Sequence, residues 1–99
     1  MEAVTTIARN VARIELRGEF TFEGHRAFKL ACQQVLDTEG VDHLEIDLSG
    51  VDYLDSAALG MLLLLNERFG HRTIRLLRAK GSVRAVLDMA NFSRVFVLE

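Results

Sequence analysis

Ninety-nine residues, 49% of them apolar and 26% charged, suffice for one hydrophobic core and are too apolar for a disordered chain. A single cysteine, Cys32, excludes an internal disulfide, and the absence of proline excludes a proline-rich linker or ligand segment. The net charge of −2 is unevenly spread: residues 30–67 carry eight acids and no base, and residues 68–84 carry six bases and no acid. The simpler reading is a solvated surface whose signs mix in space; the sharper one is a basic strip that steers an acidic partner.

In chain order, residues 4–8 and 11–17 are rich in β-formers and predict a hairpin. Arg9-Asn10 is its turn, with Asn tolerating positive φ, and Gly18 its stop. Residues 22–37 carry Phe28, Ala31, Cys32, Val35 and Leu36 at spacings of three and four, an amphipathic helix for which Thr21 is a possible N-cap. Residues 43–48 alternate, with Leu44, Ile46 and Leu48 on one face and Glu45 and Asp47 on the other, which predicts a strand. Residues 49–54 read as a loop around Gly50. A second helix starts at Asp55 or Ser56 and ends at Gly70. It is apolar nearly all round over residues 57–65, so cover on most faces is expected, with Leu59, Leu62, Leu63 and Leu65 as core and Gly60 explained by close approach of another backbone. Residues 73–77 form a β-branched strand, Ser82 caps a third helix, Asn91 stops it, and Phe92 with residues 95–98 makes a last short strand. Strands separated by helices of this length imply crossover connections and a largely parallel sheet in the order ββαβαβαβ, within one domain spanning residues 1–99.

Most chemistry is excluded. The run Leu54-Asp55-Ser56-Ala57-Ala58 lacks the flanking glycines of a nucleophile elbow. His25, His43 and His71 are dispersed, and a hydrolase built from Ser56 and one of them remains a weak alternative. One cysteine and three separated histidines give no zinc spacing, so no metal or other cofactor is expected. Phosphate-binding glycine loops are absent. A mildly acidic chain with few aromatics does not favour nucleic acid. No basic start followed by an apolar run marks a secretory signal, and residues 57–65 fall short of the ~20 apolar residues of a membrane span. A cytoplasmic protein without membrane insertion is the expectation.

Asp55-Ser56 puts a carboxylate and a hydroxyl where a helix has unpartnered N–H groups. Capping is the ordinary explanation. The same position also accommodates a phosphate, because the free N–H groups and the helix dipole favour negative charge there.

The stretch YLDSAALGMLLLL, preceded by HLEIDLS and the early GEF turn and followed by MANFSRVF, resembles the STAS family, the bacterial anti-sigma factor antagonists and their relatives. The resemblance implies a single STAS-like α/β domain with a mixed four- to five-stranded sheet, an N-terminal hairpin and about three packed helices. It implies that Ser56, in the family's D-S-small-small-L-G motif, is a phosphorylation site. The chain would then be a kinase substrate and not an enzyme: a partner-switching regulator of signal transduction and transcription. Unphosphorylated, it would bind an anti-sigma factor or a switch-protein serine kinase, and a serine phosphatase would reset it. Asp55, Ala57, Tyr53, Thr21, Phe22, Gly81 and Ser82 are the expected partner-binding residues. Ala57-Ala58 stands where many relatives carry Ser and Gly, and Thr21-Phe22 where many carry an Asp that helps phosphorylation. The alternative within the family is a scaffold or lipid-transport accessory module without phospho-switching.

Overall fold

Residues 1–70 and 72–99 are described by the computed structural model. The chain opens with strands β1 (Glu2–Ala8) and β2 (Val11–Phe20), paired antiparallel from Glu2↔Arg17 to Ala8↔Val11. The two-residue turn takes its positive φ of 58° at Arg9 rather than at Asn10. Asn10 acts through its carbonyl, which accepts from the backbone N–H groups of Asp42 and His43 and ties the hairpin to the start of the third strand.

β2 does not stop at Gly18. It runs to Phe20, with register shifts between Glu15 and Arg17 and between Gly18 and Glu19, and Gly18 takes φ 98° at the second shift. A left-handed backbone of this kind suits glycine inside a bulged strand as well as at its end. Strand β3 (His43–Leu54) is correspondingly longer than expected: residues 49–54 continue the strand instead of looping, and Gly50, Val51, Tyr53 and Leu54 pair in parallel with Arg17, Gly18, Glu19 and Phe20. Gly50 permits this contact, because a Cβ there would lie 2.9 Å from the Leu16 carbonyl oxygen.

Between these strands lie a 3₁₀ turn (Phe22–Gly24) and helix α1 (His25–Leu36). Thr21 precedes the turn but makes no side-chain cap, so the expected N-cap is not formed. Helix α2 (Ser56–Phe69) has the expected limits, with Asp55 as N-cap and Gly70 (φ 71°) closing it. β4 (Thr73–Leu77) is as expected. Helix α3 (Gly81–Met89) begins after Lys80, so Ser82 lies within its first turn and makes no cap. Asn91, at φ 59°, ends the helical path, and Phe92 enters a second 3₁₀ turn rather than the last strand, which shrinks to β5 (Val97–Leu98). Phe92 turns inward and packs against Phe96, their ring centroids 5.3 Å apart.

The five strands lie in the order β1-β2-β3-β4-β5, with β2 to β5 parallel. Each crossover advances the sheet in the same direction, and right-handed crossovers then put all three helices on one face. The burial pattern agrees. Ala12, Leu44 and Ile74 form one buried row across the sheet, and Ile14, Ile46 and Leu76 the next. Phe28, Val35, Leu62, Leu65, Val83 and Leu87 from the helices join the same core.

The opposite face is a charged ladder. Arg13, Glu45 and Arg75 are cross-strand neighbours, and Arg13 donates to Glu45 at 2.9 Å. Glu15 and Asp47, both negative, are paired next to one another. Arg78 relieves this repulsion: its Nη2 lies 2.6 Å from the Asp47 carboxylate, which also accepts from Ser49 N–H at 2.9 Å. Chiefly through the Arg78 hydrogen bond, Asp47 is held down at about 2 and stays ionised despite its burial. The segregated charges of the sequence therefore mix in space, with Arg75 on Glu99, Arg78 on Asp47 and Arg84 on Asp88.

Candidate functional site

The carboxyl ends of β2 and β3 emerge side by side because Phe20 and Leu54 are paired. Asp55 N–H donates to the Phe20 carbonyl at 3.3 Å. Its carboxylate then spans two segments. Oδ1 accepts from Ala58 N–H at 2.9 Å and caps α2, while Oδ2 accepts from Phe22 N–H at 3.4 Å. One side chain thus fixes both the start of α2 and the loop that carries Thr21 and Phe22. Since α2 cannot satisfy its own first N–H groups and Asp55 takes that of Ala58, those of Ser56 and Ala57 have no hydrogen-bond partner among the described residues at the positive end of the helix.

Ser56 is the first helical residue and is exposed, while Ala57 is half-buried beside it. Phe22 is 64% exposed and Tyr53 51%, so two large rings near this helix start in the chain stand in solvent. Phe22 therefore belongs to the surface, and Phe20, two residues earlier, fills the core against Phe28 at 4.9 Å. Phe22 is held in place by stacking on His25, with centroids 4.7 Å apart, and by the His25 Nδ1–H, which donates to the Phe22 carbonyl at 2.8 Å. Asp55, Ser56, Ala57, Tyr53, Thr21 and Phe22 thus come together. Gly81 and Ser82 open α3 after β4, and none of the hydrogen bonds that build the Asp55 end involves them.

The second helix departs from the expected full cover. Leu63 is 42% exposed and Leu64 56%, Leu59 is only half-buried, and a Cβ on Gly60 would meet nothing within 4 Å. Among the described residues, no backbone outside its own helix approaches Gly60. Beside α2 runs a cavity of about 260 Å³ lined by residues of the Phe22 loop, α1 and α2, among them His25, Lys29, Cys32, Met61, Leu64 and Arg68. Sequence reasoning missed this feature. Nothing in the uniformly apolar run over residues 57–65 signalled it, because which stripe is left open depends on where α1 packs. Cys32 sits on the floor of the cavity, and burial pushes its thiol up to about 12, which makes it an unreactive packing residue.

Among the described residues, no three His, Cys, Asp or Glu side chains gather as a metal site, and no helix is long and apolar enough to cross a membrane. His25 and His43 stand apart in the fold, His25 at the start of α1 and His43 at the start of β3; His71 lies outside the described residues.

The comparisons agree with this architecture. A family model described as "Mlab, STAS domain" matches residues 3–99. A STAS-domain containing protein of Pseudomonas aeruginosa (strain UCBPP-PA14) is 38% identical over 85 residues, covering 84% of this chain and 82% of its own length. An anti-sigma factor antagonist from Mycobacterium paratuberculosis superposes with a TM-score of 0.86 at 23% identity, covering 97% of this chain and 82% of that one. The Bacillus cell fate determinant SpoIIAA in its phosphorylated form gives 0.74 at 14% identity, covering 98% of this chain and 90% of that one. At these identities the two solved structures speak for the fold, and the family match over nearly the full length carries the assignment: the chain belongs to the STAS-domain family.

Proposed function

We propose that this chain is a partner-switching regulator of the anti-sigma factor antagonist type, acting in the cytoplasm. Unphosphorylated, it binds an anti-sigma factor or a switch-protein serine kinase through Thr21, Phe22, Tyr53, Asp55 and Ala57, with Gly81 and Ser82 at the start of α3 as further contacts. Phosphorylation of Ser56 releases the partner, and a serine phosphatase restores binding. The observation that carries this reading is the exposed Ser56 hydroxyl at the capped start of α2, where Asp55 also holds the loop that carries the exposed Phe22. A phosphate there adds about −1.5 to −2 charges at the positive end of a helix, so the fold accommodates it. A partner packed on Phe22 and Tyr53 would instead have to bury that charge. A loss of about 3–4 kcal/mol at the interface weakens binding by a factor on the order of a few hundred.

In the transfer step the Ser56 Oγ attacks the γ-phosphorus of ATP, ADP leaves, and the hydroxyl proton passes to a base on the kinase. Mg-ATP and that base belong to the kinase, and this chain supplies only the acceptor oxygen. The test is labelling by radioactive ATP in a lysate of the source organism. Wild type incorporates label and Ser56→Ala does not; equal incorporation removes Ser56 from the account. Absence of label in both favours the second reading, a scaffold or lipid-transport accessory module without a phospho-switch.

A further inference from the structure

We propose that the trough between α1 and α2 binds a free single-chain carboxylate amphiphile, a medium-chain fatty acid. The floor is apolar and continuous: Phe28, Cys32 and Leu65 are buried beneath it, and Met61 and Leu64 form its wall. α1 and α2 both start at the Phe22–Asp55 contact and still meet near their far ends, where Arg68 donates to Gln33 at 2.7 Å. The lining therefore runs along α2 from Ala57 to Arg68, which at the helical rise is about 16 Å. About 260 Å³ open to the centres of water-sized spheres over that length is a mean cross-section of about 16 Å², which, with a water radius added at each wall, sets the walls roughly 7 Å apart. One extended polymethylene chain fits such a channel. A helix about 10 Å wide cannot sink into it and would lay only side chains along its open side.

The charge pattern selects the head group. No acid lines the trough, while Lys29 and Arg68 both do. Arg13, Arg17, Arg75, Arg78 and Arg84 each pair with a carboxylate. Lys29 and Arg68, like Arg9, Arg26, Arg72, Lys80 and Arg94, have no carboxylate partner among the described residues, and of these cations they alone line the trough, Arg68 contacting only the neutral Gln33 amide. Arg68 stands at the far end of the trough and Lys29 about one helical turn nearer the Phe22 loop, so a carboxylate between these levels meets positive charge on both walls while its chain covers Met61 and Leu64 toward Ala57. This site is independent of phosphate transfer to Ser56.

The test is an amide chemical-shift titration of the full unphosphorylated chain with dodecanoate below its micellar concentration, beside dodecyltrimethylammonium, which has the same chain and the opposite charge. Saturable shifts confined to α1, α2 and the Phe22 loop are expected, with dodecanoate at least about tenfold tighter than the cation. The double variant Lys29→Glu/Arg68→Glu, altered only at exposed positions, should abolish or reverse that preference while keeping the native spectrum; Lys29→Gln/Arg68→Gln should fall between. Equal affinity for the two amphiphiles, failure to saturate, shifts centred on the open sheet face, or binding to phosphatidylglycerol vesicles with no response to dodecanoate would each overturn the proposal.

Discussion

Replacing Asp55 by Ala removes a side chain that joins the start of α2 to the Phe22 loop. The 2.9 Å bond to Ala58 N–H is an N-cap, whose loss costs about 1 kcal/mol. Removing a carboxylate from the positive end of the helix adds up to about 0.5 kcal/mol. The bond to Phe22 N–H, at 3.4 Å, is long and contributes little energy, although it positions the loop. The sum is about 1–2 kcal/mol, or on the order of 10 °C in Tm for a domain of this size. Asp55→Asn keeps a capping oxygen and loses only the charge, so it should cost less than about 0.5 kcal/mol. Urea unfolding at neutral pH measures both variants, and amide exchange at Ala58 and Phe22 reports the two bonds separately. Asp55→Ala should speed exchange at both amides. Equal stability of the Ala and Asn variants, or unchanged exchange at Ala58, would refute the capping argument.

Three further outcomes are expected. Asp47 is held at about 2, against an ordinary 3.8, so its contribution is fully present above about pH 4 and is lost as pH falls toward 2. Because Arg78 is half exposed, this amounts to about 1–2 kcal/mol, and Asp47→Asn should lower the midpoint at about pH 5 but hardly at about pH 2; parallel curves for the two proteins would contradict it. Gly50→Ala puts a Cβ 2.9 Å from the Leu16 carbonyl and should cost about 1–3 kcal/mol by thermal unfolding, whereas Gly60→Ala, with open space around it, should gain about 0.5–1 kcal/mol; the reverse order would sink both assignments. Phe22→Ala, at a ring 64% exposed, should change Tm little and weaken partner capture by at least about thirtyfold, the loss of an aromatic hot spot; unchanged capture would remove Phe22 from the interface.

The elements set by local pattern were legible in the sequence. The alternation of Leu44, Ile46 and Leu48 marked β3, the Asp55 cap and Gly70 bounded α2, and β4 matched to the residue. The features that escaped depend on neighbours far away in the chain. Residues 49–54 look like a loop because Ser49, Gly50 and Asp52 are polar or small, yet they are strand because the bulges of β2 bring Arg17 to Phe20 alongside. Nothing local distinguishes the buried Phe20 from the exposed Phe22; the reversal comes from the 3₁₀ turn that follows Thr21. The exposure of Leu63 and Leu64 could not be read from a uniformly apolar run, since it depends on where α1 packs. At the site, Ser56 and Asp55 were legible through their motif, while His25, Lys29 and Arg68 became visible only once α1 and α2 were side by side.

Intact-mass and peptide-level spectra of the protein recovered from living cells, under conditions that toggle the pathway, test the central claim most directly. The account predicts a population heavier by one phosphoryl group, located on Ser56 and varying with condition while the partner co-purifies only with the unmodified form. A chain that never carries phosphate on that hydroxyl, or that retains its partner equally well with it, would contradict the account.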